Sequence, residues 1–296
     1  MTAAPGPGRS PIARYRPTRR AVPSEVGLPA GYSGDAGPTI LDALGDRWVR
    51  TRDGVQVALR RQGPDLAPVA IVLAHGFTMT SSDRRLTAVA DGLAGAGHAV
   101  FSFDFRGHGR SAGISTLGDL EILDLDAVVR LARRRGHDKI VVIGGSMGGF
   151  VALRHAALLG GEDAVVAIST PATWGVSHRL RGRALILAAH NRVGRRILSS
   201  RGTRVGERLP GPLLSPSDLA GRINIPVALI HGDRDAYVPI DDARLLHERL
   251  GGPKRLIALP GFGHAETAYT ADFAARLSAL VDEMLDERDG ASRPRR

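Results

Sequence analysis

Ser146 lies in Gly144-Gly145-Ser146-Met147-Gly148, a G-x-S-x-G pattern extended by Gly149. A serine framed by residues without side chains suits a nucleophile presented on a sharp strand-to-helix turn, where bulky neighbours would collide with the adjoining strand and helix. Such a hydroxyl needs a base to take its proton and a third group to orient the base. Asp235, in His231-Gly232-Asp233-Arg234-Asp235-Ala236-Tyr237-Val238-Pro239, and His264, in Gly261-Phe262-Gly263-His264, supply both in the order serine, acid, histidine. The chemistry this order predicts is acyl transfer: Ser146 attacks, His264 moves the proton, Asp235 fixes the histidine tautomer.

Each choice has a rival. G-x-S-x-G by itself also fits a plain glycine-rich βα turn or a phosphate loop, although no Gly-Lys-Ser/Thr closes it. Asp233 lies nearer the strand end and suits turn hydrogen bonds, while Asp241 and Asp242 suit the start of the next helix. Of ten histidines, only His264 sits in a glycine-flanked loop after a strand that follows the acid. Two backbone N–H groups are candidates for an oxyanion hole: that of Met147, at a helix start, and that of Phe77 in His75-Gly76-Phe77-Thr78.

Three distant loops must therefore meet at one edge of a sheet. Candidate strands fall at 47–51, 55–61, 69–74, 99–103, 139–144, 164–169, 226–231 and 255–259. The first two form a hairpin turning at Asp53-Gly54. The later strands are nearly continuous in Val, Ile, Leu and Ala, as expected of parallel strands covered on both faces. Candidate helices at 82–96, 119–135, 147–159, 241–250 and 266–286 alternate with them. The order predicts an α/β fold with a mostly parallel eight-stranded sheet flanked by helices. The core is expected at 39–170 and 223–286. Residues 171–222 are too long for a βα connection and predict an inserted helical lid above the carboxyl edge of the sheet.

Composition bounds the function further. With 43% hydrophobic residues in 296, the chain can bury a full α/β core. Its lack of cysteine excludes disulfides and a cysteine nucleophile and fits a cytoplasmic setting. No apolar run reaches the roughly 18–20 residues a membrane span needs, and the arginine-bearing N-terminus is not expected to be a secretory signal. Segments 1–38, rich in Pro, Gly and Arg, and 287–296 are expected to be flexible tails. The net charge of +10 is concentrated at 1–20 (+5) and 179–208 (+8). Nucleic acid is not an expected partner, because aromatics make up only 4% and no recognition motif is present. The arginine-rich part of the lid reads first as a solvated face. Alternatively, lid and tail rest on anionic membrane, or the lid receives an acidic acyl substrate such as a CoA thioester.

Together, "HGFT", "DFRGHGRS" (Asp104 to Ser111), "GGSMGG", "HGDRDAYVP" and "GFGH" resemble the α/β-hydrolase superfamily, in its lipase/esterase branch that includes monoacylglycerol lipases. The resemblance covers roughly residues 47–286. It implies a small-molecule acyl ester as substrate, no metal or organic cofactor, and a structural role for Asp104, Arg106, His108 and Ser111 in bracing the oxyanion loop. A serine at the elbow, rather than aspartate, separates the chain from epoxide hydrolases and haloalkane dehalogenases of similar fold. Gly145 departs from the branch, which commonly has histidine there. Thioesterases, cofactor-free perhydrolases and non-catalytic ligand-binding proteins of similar fold are the alternatives.

Overall fold

The computed structural model describes residues 47–292, apart from 176–178, 208 and 210–212. The expected N-terminal tail at 1–38, Arg208 and the last four residues lie outside the described residues.

The apolar runs form strands because alternate side chains find a layer on each side. In β3 (Val69–Ala74), Ala70, Val72 and Ala74 join one core, and Ile71 and Leu73 join the other. The same division runs through β4 (Ala99–Phe103), β5 (Lys139–Gly145), β6 (Ala164–Ile168), β7 (Val227–Gly232) and β8 (Lys254–Leu259). The hairpin strands β1 (Trp48–Arg50) and β2 (Gln56–Gln62) are antiparallel to each other, and β2 runs antiparallel to β4. Their turn uses Gly54 at φ 85°, a left-handed angle that glycine adopts without penalty. The eight strands stand in the order β1-β2-β4-β3-β5-β6-β7-β8, with β3 to β8 parallel.

Helices cover both faces. On one, α1 (Arg84–Gly95) and α8 (Ala271–Ser292) bury Leu86, Leu93, Leu277 and Val281 against Ile71 and Val141. On the other, α2 (Glu121–Arg134), α3 (Met147–Leu158) and α7 (Ile240–Arg249) bury Ile122, Val151 and Leu246 against Phe101 and Val142. Each fully buried large apolar side chain contributes about 1.5–3 kcal/mol to this packing.

Helix ends follow their caps more than the apolar pattern. α1 begins after Asp83, whose Oδ1 accepts the Arg85 N–H at 2.9 Å. α2 begins late because the Glu121 carboxylate holds the preceding loop, accepting from Thr116 N–H, Gly118 N–H and the Ser115 hydroxyl. The helix expected at 266–286 is divided: a 3₁₀ turn at Ala265–Thr267 precedes α8, and the Thr267 hydroxyl bonds back to the His264 carbonyl at 2.8 Å. α8 also runs on to Ser292, into the segment expected to be a tail. Ion pairs Arg288–Asp163 and Lys139–Asp289 hold that last stretch to the sheet.

Between β6 and β7 the inserted segment carries α4 (Leu180–His190), α5 (Arg192–Ser200), α6 (Pro216–Leu219) and a 3₁₀ turn at Ala220–Arg222. The two longer helices meet at Asn191, whose Oδ1 caps α5 by accepting the Gly194 N–H at 2.7 Å.

Candidate active site

The chain passes from β3 to α1 on one face and from β5 to α3 on the other, although β3 and β5 are neighbours (Ala74 beside Gly144). Loops leaving adjacent strands in opposite directions open a crevice at their carboxyl ends, the ligand position of such sheets. Ser146 stands in it, between β5 and α3, at φ 53° and ψ −115°. A non-glycine residue at that angle carries strain of about 1–3 kcal/mol, tolerated where the surroundings enforce it. The surroundings here are glycines. A side-chain carbon on Gly144 would strike the Gly148 backbone, one on Gly148 the Ala74 carbonyl, and one on Gly149 the Thr170 hydroxyl.

Asp235 follows β7 and His264 follows β8, strands paired in parallel with His231 opposite Ala258. The loops converge: His264 Nδ1 donates to Asp235 Oδ2 at 2.7 Å. The other oxygen, Oδ1, accepts the Tyr237 N–H at 2.8 Å and the Val238 N–H at 2.9 Å. Burial alone would raise the Asp235 carboxyl. The His264 hydrogen bond and charge, together with the two backbone donors, overcome that and hold it below the usual carboxylate range. The Tyr237 ring lies 4.9 Å from the His264 ring, centre to centre. Asp233 serves the turn: its Oδ1 accepts the Gly261 N–H at 2.7 Å. Asp241 and Asp242 occupy the first turn of α7.

The loop carrying Phe77 lies against the serine, since a side-chain carbon on Gly76 would sit 3.6 Å from Ser146 Cβ. Two buried histidines hold this loop. Phe105 N–H donates to His75 Nε2 at 3.0 Å, so the His75 proton is on Nδ1, which donates to the Gly76 carbonyl at 2.8 Å. Burial, then the neighbouring His108, pushes His75 down to about 3, so the ring is neutral. His108 Nε2 meets the Phe77 carbonyl at 2.5 Å. Asp104 accepts from Ser81 N–H and Arg110 N–H, Arg106 pairs with Asp124 and Asp53, and the Ser111 hydroxyl accepts the Ala58 N–H. The segment Asp104–Ser111 thus fastens the Phe77 loop to the sheet.

Phe77, Ser146, Met147 and His264 line one cavity of about 840 Å³ including its mouth. Its remaining wall is mainly apolar and comes partly from the insertion, with Trp174, Leu185 and Ile186. Trp174 Nε1 donates to the Leu117 carbonyl at 3.1 Å, tying the insertion to the wall opposite.

Sequence reasoning passed over three residues of this region. His231 is buried, donates Nε2–H to the Val238 carbonyl at 3.0 Å and approaches Asp235 to 3.5 Å; burial keeps its ring below the usual histidine range. Its position four residues before the acid was the available signal. Trp174 and Tyr269 gave none, because each is brought to the site only by the folding of distant segments.

Comparison with known proteins agrees with this architecture. Residues 67–205 match the family model described as serine aminopeptidase, S33. A monoacylglycerol lipase of Mycolicibacterium smegmatis is 28% identical over 245 residues, covering 71% of this chain and 86% of that protein. A solved esterase of Pyrococcus furiosus superposes with a TM-score of 0.64 at 25% identity, over 81% of this chain and 89% of the other. A monoacylglycerol lipase of Paleococcus ferrophilus, at 22% identity, shares the fold with a TM-score of 0.58 over 78% of this chain and 99% of that one. The chain has the α/β-hydrolase fold, and these similarities support a place in the esterase/lipase branch of that superfamily, which includes monoacylglycerol lipases.

Proposed function

We propose that the chain is a serine hydrolase that cleaves carboxylic esters of small to medium acyl groups through an acyl-enzyme. The carrying observation is the 2.7 Å bond from His264 Nδ1 to Asp235, with His264 and Ser146 on the wall of the same apolar cavity. Ser146 Oγ attacks the acyl carbonyl as His264 Nε2 takes its proton. The Phe77 and Met147 N–H groups donate to the resulting oxyanion, each worth about 3 kcal/mol of barrier. Asp235 keeps the proton of the neutral ring on Nδ1, leaving Nε2 free to act as base, and stabilises the imidazolium that follows. His264 then protonates the leaving alcohol, and water, activated by the same ring, releases the acid.

A neutral fluorophosphonate tests this reading. Labelling of wild type and none of Ser146→Ala supports it; an unlabelled wild type favours a ligand-binding role. Hydrolysis of p-nitrophenyl esters from acetate to palmitate reports acyl size. No ester cleavage alongside acyl-CoA cleavage would instead identify a thioesterase. An aminopeptidase reading, suggested by the description of the matched family, lacks support in the apolar cavity. Its carboxylate, Asp242, already accepts the Ala172 N–H at 2.9 Å, and a substrate ammonium needs a dedicated acid.

The insertion is read as a lid, because α4 supplies Gly182, Leu185, Ile186 and Ala189 to the cavity wall. Its outer surface exposes Leu180 (82%), Leu187 and Val193 (70%) beside arginines 181, 183, 192, 195 and 196. An apolar face set among cations suits peripheral contact with anionic lipid. Flotation with phosphatidylglycerol vesicles, but not with neutral ones, is the expected result; no flotation at low salt removes this contact. Among the described residues no helix is long and apolar enough to cross a membrane. The cytoplasm is the proposed location, from the absence of cysteine.

A further inference from the structure

A second cavity also reaches Ser146 and His264 and measures about 1490 Å³ with its open mouth. It shares Phe77, Leu185 and Tyr237 with the apolar cavity, but its outer wall differs in kind. Among the described residues no lysine or arginine lines the apolar cavity, whereas Arg84, Arg85 and Arg201 line the second one, with Asp83 and Glu266.

The two acids do not consume the three cations. Asp83 Oδ1 is committed to the Arg85 backbone N–H as the cap of α1. The contact between Arg85 and Glu266 is from Nη1 to the Glu266 carbonyl, at 3.5 Å, the outer limit for a hydrogen bond. The side chains of Arg84 and Arg201 are exposed and have no partner among the described residues. The stability of α1 does not account for Arg84 and Arg85, since cations in a first turn oppose the helix dipole. Arg201 arrives from the far side, at the end of α5. Guanidinium groups converging from two elements on one cavity match the flat, multiply charged face of a phosphate, which they bind through paired N–H donors.

We infer that the second cavity receives the leaving group and that this group carries phosphate, making the substrates acyl esters or thioesters of a phosphorylated alcohol or thiol. The inference rests on the serine-hydrolase reading and assigns the acyl chain to the apolar cavity. In the first step the Ser146 Oγ–acyl carbon bond forms and the bond from acyl carbon to the leaving oxygen or sulfur breaks. The electron pair stays on the leaving atom, which takes the proton His264 removed from Ser146. Water then cleaves the acyl-serine, giving the carboxylic acid and free Ser146. The phosphate departs intact on its alcohol or thiol, and no redox partner is involved.

The test compares two matched pairs of octanoyl substrates without vesicles: 1-octanoylglycerol 3-phosphate with 1-octanoylglycerol, and octanoyl-CoA with S-octanoyl ethanethiol. In at least one pair, wild-type kcat/KM for the phosphorylated member should exceed that of the neutral member by about tenfold, the value of one charge-assisted contact. The pair that shows it distinguishes a phosphorylated alcohol from a CoA-type thiol. In the triple variant Arg84→Gln/Arg85→Gln/Arg201→Gln that ratio should fall to near one. A wild-type ratio near one in both pairs, or a ratio unchanged in the variant, overturns the inference. If the neutral ester is still cleaved and the fluorophosphonate still labels Ser146, the hydrolase reading survives that result. If wild type is unlabelled and cleaves none of the four, both fall.

Discussion

The Gly145 backbone lies directly under the Tyr269 hydroxyl, so that a single side-chain carbon at Gly145 would run into that oxygen. Tyr269 is buried, and burial pushes its phenol well above the ordinary range, so it is present as the neutral hydroxyl. The elbow and the turn after His264 are therefore fitted to each other. A histidine at 145, common in the family branch that the sequence resembles, has no room while Tyr269 is in place. The tyrosine and the glycine form one packing solution.

This contact predicts the behaviour of two variants. Gly145→Ala should lose about 1–3 kcal/mol through overpacking, lowering the melting temperature by about 2–4 °C per kcal/mol in a chain of this size. Adding Tyr269→Phe removes the first atom struck and should restore most of the loss in a thermal melt. A double variant as unstable as the single would place the strain elsewhere.

Asp235→Asn should keep the fold and lower p-nitrophenyl ester turnover by about four orders of magnitude, the cost of a wrongly placed imidazole proton. The amide cannot accept from His264 Nδ1–H as the carboxylate does when its NH₂ group faces the ring. Equal kcat in the variant would mean that the bond observed at 2.7 Å plays no part in turnover.

Alkaline stability should depend on His155. Its ring is buried, which lowers its affinity for a proton, but the Glu162 carboxylate at 2.9 Å and the Asp126 carboxylate outweigh burial and raise the ring to about 9 from an ordinary 6.5. The group binds its proton more tightly folded than unfolded. Its contribution, about 3 kcal/mol, is complete below pH 6.5 and is lost as pH rises through about 9. Urea unfolding at pH 6, 7.5 and 9.5 should show that decline in wild type. His155→Gln should be less stable at pH 6 by about 3–5 kcal/mol, since two buried carboxylates lose their cation, and should lack that part of the pH slope.

Trp174→Ala should open the far wall of the apolar cavity, where the indole N–H ties Leu117 in place at 3.1 Å. Cleavage should shift toward longer acyl chains, with kcat/KM for p-nitrophenyl dodecanoate rising about tenfold relative to butyrate, the worth of roughly one methylene contact in an apolar pocket. An unchanged chain-length profile would show that the acyl group lies elsewhere.

Much of the fold was legible because its signals are local. Continuous apolar runs gave the strands to within a residue or two, since burial on both faces leaves no freedom in composition. Glycines marked the elbow because its sharp turn brings the Gly148 and Gly149 backbone against Gly144 within the same few residues; the crowding of Gly148 by Ala74, from the neighbouring strand, adds to that signal. Less legible were features whose partners are distant. The end of α8 depends on Lys139 and Asp163 reaching Asp289 and Arg288. The break before α8 is the exception with near partners: the Thr267 hydroxyl bonds to Gly263 and His264, a local contact that competes with the helical pattern. The pairing of His155 with Asp126 arises only when α2 packs beside α3, and the match of Tyr269 to Gly145 only when the turn after His264 meets the elbow.

The insertion leaves the sheet after β6 and returns at β7, and those strands are hydrogen-bonded neighbours, with Val165 beside Val227. The strands are parallel, so the chain leaves at the carboxyl edge and re-enters at the amino edge, yet the inserted helices start and finish together, because the Ser217 N–H donates to the Ala172 carbonyl at 3.0 Å. A segment of any length or shape can be spliced between such points without reordering the strands or moving Ser146, Asp235 and His264. Choice of substrate and ability to break its bond can thus be inherited separately, and a lineage can exchange the first wholesale while leaving the second untouched.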